Sequence, residues 1–142
     1  MRKVIILRGI PASGKTTKAR ELVLNNPRTK RINRDDLRKM LDFGEYSIEN
    51  EDIIKLLQMR IVEELLVQDY SVVIDDTNIK DITVDWWTIF IKSVRSDIEI
   101  EVFWIDTPLQ ECIERDAKRK DSVGENVIKA LYEQKQFNNS NS

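Results

Sequence analysis

Short unbroken apolar runs alternate along this chain with stretches in which apolar residues return every three or four positions. KVIILR (3–8) reads as a strand buried on both faces, and KTTKARELVLNN (15–26) as a helix that Pro27 ends. KRIN (30–33) predicts a short strand and RDDLRKML (34–41) a short helix. A long helix is expected from about 48 to 68, with Ile53, Ile54, Leu57, Ile61 and Leu65 on its apolar stripe. SVVID (71–75) is a second buried strand, followed by a polar turn, DTNIKD, and a helix around VDWWTIFIKSV. In that helix Trp86, Trp87 and Phe90 fall at helical spacing and are assigned to the core.

IEIEVFWI (98–105) alternates in its first half, which predicts a strand at the edge of a sheet, wet on one side. Thr107, Pro108 and Gln110 have the form of an N-cap, a first-turn proline and a capping-box partner, and a last helix should begin near Gly124. Strands and helices in this order imply an α/β architecture, about four parallel strands flanked on both faces by helices.

Length and composition narrow the picture. With 142 residues there is room for one domain, expected over 1–137, and the polar NNSNS (138–142) reads as a flexible C-terminal tail. The longest apolar runs are far shorter than the ~20 residues of a membrane helix, and Arg2, Lys3 and Arg8 leave no room for a secretory leader, so no membrane partner and a cytoplasmic location are expected. One cysteine and no histidine exclude disulfide frameworks, Cys/His zinc sets and histidine acid–base catalysis; proton transfer falls to carboxylates.

The net charge of -2 argues against a protein that wraps a long stretch of nucleic acid, yet the charge is uneven. Residues 28–39 carry six basic and two acidic side chains, RDAKRK (115–120) four basic and one acidic, and DFGEYSIENED (42–52) acidic ones alone. A small local contact with a polyanion stays open.

The chemistry begins at GIPASGKT (9–16), which has the Gly-x-x-x-x-Gly-Lys-Thr spacing of a phosphate-binding P-loop between a strand and a helix. Gly9, Pro11, Ala12, Ser13, Gly14 and Thr17 are expected around the phosphates of a nucleoside triphosphate; Lys15 reaches the β- and γ-phosphates and the Thr16 hydroxyl ligates Mg²⁺. At the end of the second buried strand stand Asp75 and Asp76, either of which suits the acid near the metal. INRDDLRK places Arg34, Asp35, Asp36 and Arg38 just past another strand. Asp35 and Arg38, three apart, project on one helix face as a proton acceptor and an anion clamp, whereas Asp36 reads as first-turn dressing.

Taken in order, GIPASGKTT, INRDDLR, DDTN and ERDAKR resemble the 5′-kinase module of the phage polynucleotide kinase/phosphatase family, over roughly residues 3–132. The resemblance implies a P-loop kinase fold with a basic helical lid and an ATP-dependent polynucleotide 5′-hydroxyl kinase, moving the γ-phosphate of ATP, with Mg²⁺, to the 5′-OH end of DNA or RNA. It implies Lys15 and Thr16 at the donor phosphates and metal, Asp35 as general base, and Arg38 on the 3′-phosphate flanking the acceptor nucleoside. Asp76, with Thr77 and Arg34, would belong to the acceptor pocket, and Arg119 would be the lid arginine, with Arg115 as a second lid candidate.

Two departures stand out. The Asp-x-Asp-x-Thr motif of the family's phosphatase is absent, so 3′-phosphatase activity is not expected, and Lys120 stands where a mobile lid would accommodate a glycine. A P-loop kinase for a small molecule or nucleotide is the rival enzyme, and a nucleotide-binding module without transfer activity is the rival of another class. Expected partners are nucleic-acid 5′-OH ends and a nucleoside triphosphate; a homo-oligomer is open.

Overall fold

A computed structural model describes residues 2–141, with side chains through Phe137. In chain order the elements are β1 (Lys3–Arg8), α1 (Lys15–Asn25), β2 (Thr29–Ile32), α2 (Arg34–Asp42), α3 (Ile48–Val67), β3 (Ser71–Asp75), α4 (Asp81–Val94), β4 (Glu99–Trp104), α5 (Leu109–Ala117) and α6 (Glu125–Asn141). The side chains of the expected tail, 138–142, lie outside the described residues. No helix among the described residues is long and apolar enough to cross a membrane.

The four strands form one parallel sheet in the order β2-β3-β1-β4. Its two central strands are the continuous apolar runs, and β4 lies at the edge, as its alternation requires. Because side chains alternate along a strand, β1 and β3 feed two layers at once. Val4, Ile6, Val72 and Ile74 pack with α3 and α4, while Ile5, Leu7 and Val73 meet Ala19, Leu22 and Val23 of α1. A third cluster, Ile10, Ile79, Cys112 and Ile128, lies beyond the strand ends and seats α5 and α6. Burial pushes the Cys112 thiol up, so this cysteine is a packing residue.

Two expectations about helix faces need correction. The buried stripe of α3 is Glu51, Ile54, Gln58, Val62 and Leu66, and Ile53 is exposed. A face that also carries a carboxylate and an amide is chosen by the partners that α2 and the end of β3 offer those groups, which hydrophobic spacing does not register. In α4, Trp87 is 1% exposed but Trp86 is 44% exposed and stacks on Phe90. Adjacent residues sit about 100° apart on a helix, so only one of the two indoles enters the core.

Candidate active site

The strands all end on one side of the sheet, and there a cleft of about 1060 Å³ opens. The loop between β1 and α1 forms its floor. The Gly9 amide donates to the Thr77 carbonyl at 3.0 Å, tying the loop to the turn after β3. A Cβ on Gly9 would come within 2.7 Å of Ser13 Oγ and 3.2 Å of the Ile105 carbonyl oxygen, so the backbone is as close as only glycine permits. Gly14, at φ +104°, turns the chain into α1, and Ala12 also holds a positive φ of 63°. Helix α1 opens with no side-chain cap and no acidic residue in its first turn. Its first N–H groups and the positive end of its dipole are thus available to an anion.

Ser13 is buried, and its carbonyl accepts the Thr107 hydroxyl at 2.6 Å. That bond corrects the reading of Thr107 as a cap: α5 is preceded by Pro108 with no side-chain cap, because the threonine serves the P-loop.

Lys15 Nζ donates to the Ile10 carbonyl at 2.9 Å; burial pushes its pKa down while the Asp75 and Asp76 carboxylates pull the other way. Thr16 Oγ1 donates to Asp75 Oδ2 at 3.1 Å. Of the two candidate acids, Asp75 is therefore the one beside Thr16, the threonine expected to meet the metal. Its side chain is buried and its Oδ1 has no hydrogen-bond partner. A buried carboxylate that meets that hydroxyl through one oxygen and leaves the other without a partner fits a divalent cation. Among the described residues no group of three or more Cys, Asp or Glu side chains could hold a metal alone, so Mg²⁺ would share Thr16 and Asp75 with the phosphates it accompanies.

Asp76 faces the other way. It accepts the Arg34 amide at 2.9 Å and Gln58 Nε2 at 2.6 Å, and Arg34 Nε donates to Gln58 Oε1 at 3.0 Å. Burial holds the Asp76 carboxyl above its ordinary value against the pull of those bonds. Asn33 caps α2, its Oδ1 accepting the Asp36 amide at 2.9 Å. One turn in, Arg38 pairs with Asp35 and grips Glu51 with two bonds, Nε at 2.7 Å and Nη2 at 2.5 Å. The hydrogen bonds from Arg38 hold Glu51 below the usual carboxylate range. Asp36 is more than dressing: it accepts Arg31 Nη1 at 2.5 Å.

Arg115 stands on the last turn of α5, bound to Glu111 at 2.5 Å and 3.5 Å from the Ala12 carbonyl. Arg119 lies in the turn that follows, so the segment expected as a helical lid is helical through α5 and not at Arg119. The buried Asp116 carboxylate shapes that turn by accepting the amides of Val123 at 3.0 Å and Gly124 at 2.9 Å. Lys39 Nζ reaches across from α2 to Asp121 at 2.8 Å.

The cleft thus gathers Pro11, Ala12, Gly14, Lys15, Thr16 and Thr17 from the P-loop, Arg34, Asp35 and Arg38 from α2, Asp76 and Thr77 after β3, Arg115 from α5 and Arg119 from the turn after it. Gly9 and Ser13 lie behind its wall. Glu51, Gln58, Arg31 and Asp116 escaped the sequence reading, as did Arg8. The Arg8 guanidinium stacks 4.2 Å from the Trp104 ring and donates to the carbonyls of Asn78 at 2.7 Å and Ile79 at 2.8 Å, pinning the turn that carries Asp76. Glu51 and Gln58 did leave a signal: polar residues spaced at 51 and 58 in register with Ile54 and Val62.

The AAA domain family matches residues 4–137. The chain belongs to this family. It is similar to a chain in the structure of the Pnkp1/Rnl/Hen1 RNA repair complex, at 27% identity and a TM-score of 0.86, covering 99% of this chain and 46% of that one. A second structure of the Pnkp1/Rnl/Hen1 complex matches at 30% identity and 0.72, over 80% of this chain and 38% of that one. This chain therefore spans less than half the length of either. A gluconokinase from Sinorhizobium meliloti 1021, 14% identical with a TM-score of 0.59 over 94% of this chain and 76% of that one, shares the fold. The architecture is that of a P-loop kinase.

Proposed function

We propose that this AAA domain protein is an ATP-dependent polynucleotide 5′-hydroxyl kinase, transferring the γ-phosphoryl group of ATP to the 5′-OH end of a DNA or RNA strand. The observation that carries the reading is the placement of Asp35 and Arg38, paired with each other, on the same cleft as Lys15 and Thr16. Similarity to a chain of an RNA repair complex supports it.

Phosphoryl transfer asks the protein mainly to position two substrates and to neutralise charge. Lys15, released from the Ile10 carbonyl, and the first-turn amides of α1 would hold the donor phosphates. Mg²⁺, when bound at Thr16 and Asp75, supplies charge neutralisation between the phosphates. Asp35, 73% exposed, would accept the proton of the attacking 5′-hydroxyl. Of the five N–H donors of Arg38, three are engaged by Glu51 and Asp35, which leaves two for a phosphate of the acceptor strand. Asp76 and Thr77 would line the acceptor side, and Arg119, backed by Arg115, would cover the donor.

The test is a transfer assay with γ-labelled ATP against a panel: 5′-OH DNA and RNA oligonucleotides, a nucleoside 3′-monophosphate, nucleosides, and small metabolites including sugars. Label on the oligonucleotides and on the 3′-monophosphate, with little on the rest, is expected. Label on a sugar or a free nucleoside alone would replace this reading with a small-molecule kinase, and ATP binding without transfer to any acceptor would leave a binding module.

A further inference from the structure

Arg31 is the one guanidinium at this site that no sequence motif accounts for. It stands in β2 opposite Val73 of β3, and its two arms reach two different carboxylates: Nε donates to Asp75 Oδ2 at 2.7 Å and Nη1 to Asp36 Oδ2 at 2.5 Å. The bonding around Asp75 is lopsided. Oδ2 accepts both Arg31 and Thr16, while Oδ1 accepts nothing, although the side chain is 1% exposed. A buried carboxylate with one bare oxygen is costly unless a cation balances its charge. Lys15 lies within electrostatic reach of Asp75, but Arg31 is the cation in direct contact with it among the described residues, and it sits on the oxygen that also receives the threonine hydroxyl.

A fixed positive charge in direct contact with the acid meant for a metal has a second effect. It repels a divalent ion arriving alone, because Coulomb terms are strong in a partly desolvated cleft. A triphosphate brings enough negative charge to reverse the balance. The second arm runs to the first turn of α2, the helix that carries Asp35, so the same guanidinium ties the metal side of the cleft to the acceptor side.

We propose that Arg31 is a built-in counter-cation that keeps Asp75 closed to a free divalent ion until a triphosphate arrives, so that metal entry depends on nucleotide. This rests on the reading of the P-loop as a metal–triphosphate site and is independent of what the acceptor is. Arg31 acts through Asp75 and is a positioning residue.

Binding of Mn²⁺ to the full chain, followed by electron paramagnetic resonance at neutral pH, tests it without any turnover. Without nucleotide, the wild type should bind Mn²⁺ no tighter than about 1 mM, a free energy of ~4 kcal/mol. Arg31→Gln, which keeps a donor for Asp75 but removes the charge, should bind at least about tenfold tighter, ~1.4 kcal/mol. Arg31→Lys should stay close to the wild type. In the thermal melt, Mn²⁺ alone should stabilise Arg31→Gln and leave the wild type unmoved, which keeps the comparison usable for a weakened variant; if that variant does not fold, Arg31→Gln with Asp36→Asn, which also removes the carboxylate left unpaired, serves in its place and should show the same tightening. With the non-hydrolysable analogue AMPPNP, wild type and variant should each take up Mn²⁺. Nucleotide-free binding by the wild type in the micromolar range, or equal binding by wild type and folded variant, overturns the proposal. Failure of the wild type to take up Mn²⁺ even with AMPPNP overturns the metal–triphosphate reading itself.

Discussion

The two ends of the cleft are built in opposite ways. The donor end is a contiguous loop, residues 9–17, whose working parts are backbone amides, two glycines with no room or no strain-free alternative, and one lysine. The other end, where the proposed function puts the acceptor, has almost no backbone chemistry. It is a lattice of side chains drawn from α2, α3 and the end of β3, joined by Arg38–Glu51, Arg34–Gln58 and Gln58–Asp76 across 13 to 24 positions of sequence. A backbone device works wherever the local sequence allows the turn, so it recurs in many proteins. A side-chain lattice exists only once the whole fold has assembled, and it can be retuned one residue at a time.

That contrast predicts a graded series of losses. Lys15→Ala should remove the charge on which the donor end depends and lower kcat by about a thousandfold or more, ~4 kcal/mol of transition-state stabilisation, with any acceptor. Asp35→Asn should separate the two ends: transfer falls by about 10²–10⁴-fold while ATP affinity, followed by fluorescence of a nucleotide analogue, stays near the wild-type value. Normal turnover by Asp35→Asn would show that the proton goes elsewhere.

Glu51→Gln should act on the lattice alone. Releasing Arg38 from its bidentate partner should raise the acceptor KM by about tenfold and cost about 1–3 kcal/mol of stability, read from urea midpoints. The stability loss should depend on pH in a set direction. Arg38 holds the folded-state Glu51 pKa below its ordinary 4.5, so the pair stabilises the fold fully above 4.5 and that contribution fades as pH falls through the lowered value. The gap between wild type and Glu51→Gln should therefore close in acid; a gap that widens below pH 4.5 would mean that Glu51 is not held as the anion.

Smallest of all should be Lys39→Ala. The Lys39–Asp121 pair links α2 to the lid loop, but both side chains are more than half exposed, and such pairs contribute about 0–1 kcal/mol. Stability should change by less than about 0.5 kcal/mol and kcat by no more than about twofold. A larger kcat effect would show that the contact sets the lid position.

Strand and helix order, the edge position of β4, the P-loop and the grouping of Asp35, Arg38 and Asp76 on one side of the sheet could all be read along the chain, because each rests on local spacing or on the rule that loops after parallel strands meet at one edge; Arg119 was placed there only by the family resemblance. Fold and donor loop were thus determined by the sequence itself. Which carboxylate stands beside Thr16, what Thr107 caps, which face α3 buries and what holds Arg38 were decided only in three dimensions. Asp75 and Asp76 are adjacent in sequence, yet alternate side chains of an extended chain point to opposite sides, so one meets Thr16 and Arg31 while the other meets Arg34 and Gln58. Glu51 and Gln58 occupy core positions of α3 because their charge and amide are satisfied by residues 13 and 18 positions away, and no window of local sequence contains both halves of such a bond.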